Sequence, residues 1–333
     1  MITKDIIVYV LVLLLSLIFT TIVIKCIIPM LKRKEFGQKI LENGPVWHKN
    51  KEGTPTMGGL SFLLTITITI IIEILILFNK SNIRQTLLML NILLYSVLNA
   101  LIGIIDDIAK IRKSKNQGLT GTSKFILQSI AAIIFLILVK NFVGINTGIY
   151  IPFSGKYIEL GVFYYFFAYL LLCGIVNSVN LSDGIDGLAT TLIATVAVFF
   201  SICSFFVVEN KYLQITSASI LGATIGFLKF NKNPAKIFMG DTGSLFFGSL
   251  IVSMSFIFDN ILLVVLYGMI FIIEAISDIL QVAYFKITKG KRLFLMAPLH
   301  HHLEKKGWSE NKIVCIFSLI NIIFCILAYV SML

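Results

Sequence analysis

The sequence predicts an all-α integral membrane protein, and two observations lead to this fold class. The chain of 333 residues is 57% hydrophobic and only 14% charged, with a mean hydropathy of +0.94. This is the composition of a chain that crosses the bilayer many times, not that of a soluble domain. The second observation is that apolar segments of spanning length alternate with short polar connections, with no linker between them. We therefore expect one polytopic membrane domain over residues 1–333.

About ten apolar segments are long enough to cross the membrane as helices. The first, residues 5–31, is too long for the hydrophobic region of a signal peptide, and no small-residue cleavage site follows it. We predict the remaining spans at residues 58–78, 86–105, 125–143, 162–179, 188–208, 213–229, 242–258, 260–284 and 312–332. An even number of spans places both termini on the same side.

The basic residues indicate which side that is. Four connections, residues 32–57, 106–124, 229–241 and 285–312, hold 21 of the 28 Lys and Arg residues. The positive-inside rule puts these connections in the cytoplasm and both termini outside. The net charge of +11 is explained first by this topology, then by an anionic substrate, and we expect no nucleic-acid partner. On the outer side, the Gly- and Tyr-containing residues 144–160 predict a short β excursion.

Nearly all the polar motifs share the predicted cytoplasmic side. Residues 177–187 hold two Asp, two Asn and two Gly between apolar runs, so Asp183 and Asp186 first suggest a metal pair. The alternative is a tight turn, which explains Gly184 and Gly187 but not the two carboxylates with the two amides.

Two further motifs carry carboxylates. Asp106 and Asp107 end the third predicted span, where two adjacent charges need a cation or a shared proton. Lys110 is either an intrahelical partner of Asp106 or a phosphate ligand beside a Mg²⁺ site or general base. Asp241 either caps a helix that begins at Thr242 or faces a ligand.

Four other features bear on the site, and the first two of them have two interpretations each. Thr54 to Gly59 is either an ordinary helix start or, with Lys51, an anion site. Phe238 is either a stacking platform or an aromatic anchor at the membrane interface. Three consecutive His residues, 300–302, cannot all ligate one metal ion from one helix face, so we expect them to donate to phosphate. Glu274, Asp278 and Gln281 recur at helical spacing in the span predicted at 260–284 and indicate a helix that leaves the bilayer early.

These features favour a lipid-phosphate transferase. The sequence has no P-loop and no nucleophile elbow, which argues against an ATP-driven pump and a serine hydrolase. Asp, Lys and His on one face suit electrostatic catalysis of phosphoryl transfer with Mg²⁺. The alternative from another class is a multispan transporter of an anionic or proton-coupled solute, but its site should lie near the midplane with access to both faces.

Five motifs in order resemble the phospho-N-acetylmuramoyl-pentapeptide transferase family, within the polyprenyl-phosphate sugar-1-phosphate transferase superfamily. They are Thr54–Gly59, Asp106-Asp107-x-x-Lys110, Asn180–Gly187, Gly240–Ser244 and Ala297–His302. The Pro-Leu-His-His-His-x-Glu run is typical of the muramoyl-pentapeptide branch, and the alternative is a relative that uses a UDP-N-acetylhexosamine. The resemblance implies ten helices with a broken ninth, termini outside, a place in the bacterial cytoplasmic membrane and a homodimer.

The implied reaction joins UDP-N-acetylmuramoyl-pentapeptide to undecaprenyl phosphate, giving lipid I and UMP, directly or through an enzyme intermediate. The resemblance assigns Mg²⁺ to Asp241 with Asp106 and Asp107, and makes Asp106 the base. Lys110 would hold phosphate and His300 the diphosphate. The implied substrate contacts are Lys51, Thr56, Asn180, Asp183, Gly184, Asp186 and Phe238 for the nucleoside, and Asn231, Gln281 and His301 towards the ribose-phosphate. Members of this family commonly have a basic residue where this chain has Thr122, with Lys124 two residues further on, so the phosphate contact implied there is either absent or supplied differently.

Overall fold

The computed structural model describes residues 2–33, 51–112 and 118–333, and these residues are mainly helical. The helices are α1 (Ile2–Arg33), α2 (Gly59–Leu77), α3 (Ile83–Arg112), α4 (Gly121–Leu138), α5 (Phe163–Ser182), α6 (Leu188–Phe206), α7 (Lys211–Asn231), α8 (Gly240–Met254), α9 (Leu263–Tyr267), α10 (Met269–Ile287), α11 (Leu299–Lys305) and α12 (Glu310–Val330). Within the described ranges, nine helices are long and apolar enough to cross a membrane, namely α1 to α8 and α12. The chain is therefore a multi-pass α-helical membrane protein, as predicted.

The ninth predicted span, residues 260–284, is wrong as one continuous helix. The segment instead forms α9 and α10, which are separated at Gly268, so the predicted break in this helix is confirmed. The carboxylate of Glu274 is fully buried in α10 and serves a polar partner inside the protein. A helix that must keep a buried carboxylate paired is positioned by its contacts within the protein. Hydropathy alone therefore wrongly predicted one continuous span here.

Helix α8 lies at the centre of the bundle. In its most apolar window 83% of the residues are buried, against 11% for α1, which lies at the periphery. Helix α8 packs against α3 and α5, while α1 packs on α7. The α1–α7 contact uses Gly222 and Gly226, where any side chain would overlap the backbone of α1. Small residues at such contacts are what membrane helices use to approach closely.

Three helix ends differ from the predicted boundaries in ways that matter for the site. Helix α3 continues to Arg112, so Asp106 and Asp107 lie within a helix instead of ending it. Helix α5 continues to Ser182, so only residues 183–187 form the turn. Helix α8 begins at Gly240, so Asp241 lies in its first turn and does not cap it. In each case polar side chains satisfied by neighbouring helices let the helix extend beyond its apolar run.

Close backbone approach brings three of these helices together at one end of the bundle. A Cβ atom at Gly59 would overlap the backbone of Gly243, and one at Gly103 would overlap the carbonyl of Asp241. Helices α2 and α3 therefore touch the start of α8 backbone to backbone. This contact sets the carboxylates of α3 beside the first turn of α8.

The predicted β excursion between α4 and α5 is confirmed. Strands β1 (Gly148–Tyr150) and β2 (Tyr157–Glu159) pair antiparallel, with Ile149 opposite Ile158. Because this hairpin follows the C-terminal end of α4, it lies at the opposite end of the bundle from Asp106. The polar motifs therefore share one end of the molecule and the hairpin occupies the other.

Candidate active site

Lys110 links the carboxylates of two helices at the centre of the site. Its Nζ lies 2.7 Å from Asp106 Oδ2, four residues earlier on α3, and 3.0 Å from Asp241 Oδ2 in the first turn of α8. The remaining oxygen of Asp106 accepts from the backbone N–H of Leu119 at 2.6 Å. The two interpretations of Lys110 therefore coexist: it pairs within its helix and it also bridges to Asp241.

Lys124 and Asn180 complete the surroundings of Asp241. The Nζ of Lys124, on α4, lies 2.6 Å from Asp241 Oδ2 and donates to Asn180 Oδ1 at 3.1 Å. The Asn180 side chain donates in turn to Asp241 Oδ1 and to the hydroxyl of Ser244. Residues from α3, α4, α5 and α8 thus converge on one carboxylate, with two lysines available to an anionic ligand.

Asp107 has a different role from its neighbour. Its Oδ1 accepts from the N–H of Asp241 at 3.1 Å, and its Oδ2 accepts from the N–H and hydroxyl of Thr242 at 2.9 and 2.7 Å. It is 2% exposed. Asp107 therefore caps α8 from another helix, satisfying N–H groups that a helix start leaves unpaired.

Asp186 forms a second polar centre with the segment that precedes α2. Its Oδ1 accepts from Lys51 Nζ at 2.7 Å, and its Oδ2 accepts from the Asn233 side chain and the N–H of Ala235 at 3.0 and 2.9 Å. Glu310, at the start of α12, accepts from Lys51 Nζ and from the N–H of Asp186. Both oxygens of Asp186 are therefore engaged by the protein itself.

Asp183 contrasts with Asp186 in the same turn. Its carboxylate is half-buried and makes no hydrogen bond or ion pair within the described part of the chain. Burial and the nearby carboxylates of Asp241, Asp107 and Asp186 raise its pKa well above the usual range of an aspartate. A carboxyl with no partner, facing other carboxylates, is the acceptor most available to a donor on a ligand.

Backbone pairing sets Phe238 and Thr56 beside this region. The N–H of Phe238 donates to Pro55 O at 2.9 Å, and the N–H of Gly58 donates to Phe238 O at 2.8 Å. Thr56 then lies next to Gly240, where a Cβ atom would be 2.7 Å from its hydroxyl. Phe238 is half-buried, so part of its ring faces outwards, as stacking on a base requires.

Three predicted substrate contacts are engaged elsewhere in the structure. Asn231 is buried, accepts from the Thr190 hydroxyl and donates to Ile237 O. Gln281 accepts from two N–H groups, those of Leu293 and Phe294. His301 contacts the carboxylate of Glu304 through Nδ1 at 2.6 Å. These bonds give the three residues a role in holding backbone and loops, and their predicted contact with the ribose-phosphate stays a prediction.

His300 occupies the wall of the site at Gly184. Its ring is fully buried, and a Cβ atom at Gly184 would overlap Nε2. Nδ1 lies 2.8 Å from Glu274 Oε2. His300 therefore lies directly against the 183–187 turn, and its predicted contact with the diphosphate stays a prediction.

The donor set suits a magnesium ion held together with substrate. Among the described residues no three His, Cys, Asp or Glu side chains cluster as a protein-only metal site does. Mg²⁺ instead favours one or two carboxylates plus phosphate oxygens. Asp106 and Asp241 both direct Oδ2 at the ammonium of Lys110, so two carboxylates already converge on one cation. Asp107 fits less well, because both its oxygens are bonded to α8.

Three residues of the site lie outside the predicted set: Lys124, Glu274 and Glu310. The sequence holds a signal for Lys124, because Thr120 caps α4 by accepting from the N–H of Ser123 and so puts Lys124 about one turn into the helix. Glu310 follows the cap Ser309 in the same way. Neither signal names a partner, since Lys124 and Asp241 are 117 residues apart.

Comparison with known proteins agrees with these motifs. A family profile described as Glycosyl transferase family 4 matches residues 89–259, and one described as Phospho-N-acetylmuramoyl-pentapeptide-transferase signature 1 matches residues 51–63. The chain is 44% identical over 312 residues to a phospho-N-acetylmuramoyl-pentapeptide-transferase of Staphylococcus aureus (strain bovine RF122 / ET3-1), covering 93% of this chain and 95% of the relative.

Two further relatives bear the same name. That of Staphylococcus carnosus (strain TM300) is 44% identical over 311 residues, covering 93% of this chain and 94% of the relative. That of Clostridium perfringens (strain 13 / Type A) is 42% identical over 319 residues, covering 96% of each chain. With profile matches over the site and full-length similarity of this degree, the chain belongs to the phospho-N-acetylmuramoyl-pentapeptide-transferase family.

Proposed function

We propose that this protein transfers phospho-N-acetylmuramoyl-pentapeptide from its UDP derivative to undecaprenyl phosphate, giving lipid I and UMP in peptidoglycan synthesis. The observation that carries the proposal is the meeting of Lys110, Lys124, Asp106 and Asp241 at one end of a bundle of spanning helices. Two lysines and two carboxylates there bind phosphate and a divalent cation next to the lipid phase. Membership of the family supports the choice of the two substrates.

The reaction exchanges one phosphoanhydride for another. An oxygen of the lipid phosphate forms a bond to the β-phosphorus of the nucleotide. The bond from that phosphorus to the oxygen shared with the α-phosphate breaks, and its electron pair leaves with UMP. No ATP is consumed, in agreement with a sequence that has no P-loop.

The lysines orient and neutralise the phosphates, whose negative charge opposes the approach of a second phosphate. A lipid phosphate that arrives singly protonated gives its proton to Asp106. We favour direct attack by the lipid phosphate, because it needs no covalent intermediate on an aspartate that is 2% exposed. When bound at Asp106 and Asp241, Mg²⁺ supplies positive charge to the phosphate oxygens.

The nucleoside is held on the side of the 183–187 turn. Asp183, without a partner, accepts from the uracil N–H, and the half-buried ring of Phe238 stacks on the base. Asp186 and Lys51 shape the turn through their mutual bond instead of contacting the base first. The resemblance implies nucleoside contacts from both Asp183 and Asp186, and we assign the base to Asp183 because the hydrogen bonds of Asp186 are already filled.

The site end of the bundle faces the cytoplasm in this proposal, with both termini outside. The support is the positive-inside distribution of Lys and Arg, because the four basic connections join helices at the site end. The bacterial membrane that contains the protein is then the cytoplasmic membrane, where UDP-linked precursors are soluble on the inner side.

The experiment is a UMP-release assay on purified protein in lipid vesicles with MgCl₂, undecaprenyl phosphate and UDP-N-acetylmuramoyl-pentapeptide. We expect UMP and lipid I in equal amounts, and loss of both when EDTA removes the metal. A matched reaction with UDP-N-acetylglucosamine should give no UMP. Product from that sugar nucleotide alone would assign the chain to the hexosamine branch. Uptake of nucleotide into sealed vesicles without UMP would replace the transferase by a transporter.

A further inference from the structure

A buried glutamate and a buried histidine form a pair behind the site. Glu274 on α10 and His300 on α11 are both fully inaccessible to solvent. The Glu274 carboxylate accepts from the backbone N–H of His300 at 3.2 Å through Oε1, while Oε2 lies 2.8 Å from Nδ1. One carboxylate therefore fixes both the backbone and the ring of the histidine. Neither the predicted motif roles nor the proposed function uses Glu274.

The pair determines what the other ring nitrogen can do. The 2.8 Å contact between Glu274 Oε2 and Nδ1 has room for one proton between the two side chains, and this engages Nδ1 and leaves Nε2 as the ring nitrogen that can face a ligand. Nε2 is buried and has no hydrogen-bond partner within the described chain. It faces the Cα of Gly184, where there is no room for a side chain. The pair thus holds one nitrogen firmly and directs the second, unsatisfied, at the turn beside Asp183.

A buried polar atom without a hydrogen-bond partner costs free energy. We therefore expect Nε2 of His300 to gain a partner when a ligand binds. Phosphate oxygens accept hydrogen bonds and donate none unless protonated. A buried Glu–His pair without net charge carries an N–H at Nε2, whichever of the two side chains holds the proton between them. Such a donor suits the diphosphate of a nucleotide lodged against the 183–187 turn.

We infer that Glu274 is a positioning residue that holds His300 so that Nε2 donates to the diphosphate of the nucleotide substrate once the turn at Gly184 moves aside. The inference rests on the proposed function and assigns the part that the broken ninth helix plays in it. Without the glutamate the ring is free to present either nitrogen, or none, to the substrate.

Helix α10 is suited to this task because it holds the histidine segment at two points. Gln281, seven residues after Glu274 and so on the same face, accepts from the N–H groups of Leu293 and Phe294. The opposite face of α10 exposes Ile279 and other apolar side chains. Two side-chain acceptors on one face of α10, Glu274 and Gln281, therefore fix the position of His300 and of the segment before it.

The test is a double-mutant cycle with E274Q, H300Q and the double variant, measured as kcat and KM for UMP release and as the thermal unfolding temperature. Gln at 274 keeps the shape but replaces one acceptor oxygen by a donor. Gln at 300 keeps a donor near Nε2 and removes the Nδ1 anchor. D278N is the matched control, because Asp278 lies on α10 and makes no hydrogen bond or ion pair in the described ranges.

We expect E274Q to lower kcat by about 10- to 100-fold, as when the partner that orients a functional histidine is lost. In the H300Q background, E274Q should lower kcat by less than about 2-fold. The imidazole ring through which Glu274 acts on the substrate is already absent there. The effects of D278N and H300Q on kcat should be independent, so their fold-changes should multiply in the double variant. Wild-type kcat in E274Q, or an equal loss in both backgrounds, would overturn the inference.

The unfolding temperatures keep this test separate from the proposed function. If the wild-type protein releases no UMP, the transferase proposal fails, yet coupled shifts in unfolding temperature still report the Glu274–His300 contact. If UMP is released and only the unfolding temperatures are coupled, while kcat and KM are not, the pair is structural and the positioning role is wrong.

Discussion

The carboxylate of Asp107 accepts three hydrogen bonds from the first turn of α8, two of them from Thr242. Asp106, the preceding residue, points to Lys110 and Leu119. Successive residues of an α-helix lie about 100° apart, so adjacent aspartates serve different neighbours. One holds the helix that carries Asp241, and the other stands among the reacting groups.

This separation predicts opposite consequences for the two aspartates. Asp107→Ala leaves the α8 N–H groups unpaired and should destabilise the protein by about 1–3 kcal/mol. Asp106→Asn should abolish UMP release while the protein stays folded. Thermal unfolding in detergent and the UMP assay measure the two effects. Equal losses of stability in the two variants would contradict the assignment.

Lys124 should supply a phosphate contact, because its Nζ lies 2.6 Å from Asp241 Oδ2 at the centre of the site. We predict that Lys124→Met lowers kcat by about 10²–10³-fold, the range for a group that stabilises developing charge. Thr122→Lys is the control, because Thr122 is exposed and two residues from the contact. A large gain of activity in Thr122→Lys would show that the site lacks a cation that Lys124 does not provide.

Gly184 should tolerate no side chain, because a methyl group there overlaps His300 Nε2. We predict that Gly184→Ala lowers both the unfolding temperature and kcat, and that adding His300→Ala restores the first but not the second. Gly174→Ala on α5 is the matched control, since a Cβ atom there meets open space. Unchanged unfolding in Gly184→Ala would show that the turn shifts at little cost.

Asp183 should impose a pH-dependent cost on the protein without substrate. Its pKa is raised by burial and by neighbouring carboxylates, so the native state holds this proton more tightly than the unfolded state does. The charged form therefore lowers stability as pH rises from the unfolded pKa through the folded one, and the penalty persists at higher pH.

We predict that Asp183→Asn unfolds at a higher temperature than the wild type at pH 8, and that the difference shrinks in acid. The same variant should lose affinity for the uridine nucleotide, which titration calorimetry measures. A variant less stable than the wild type at pH 8 would mean that Asp183 has a stabilising partner.

Hydropathy and charge alone account for the nine membrane-spanning helices of the described ranges and for the grouping of the polar motifs at one end of the bundle. They do not assign Asp106 and Asp107 to separate tasks, although the helical period of α3, once the helix is known to continue through them, implies it. Lys124 was not predicted as a site residue, because a lysine one turn into a helix is common. Its role becomes visible only when the structure places it beside Asp241. Glu274 was not predicted as a site residue for a similar reason. Its partner, His300, lies 26 residues away, across a connection without a regular hydrophobic pattern.

The backbone contacts of Gly59 with Gly243, and of Gly103 with Asp241, have a consequence for variation. Because no side chain fits at these points, the frame of the site offers the protein few substitutions that keep it folded. Substitutions that change the site without unfolding the protein are therefore expected at side chains outside these backbone contacts.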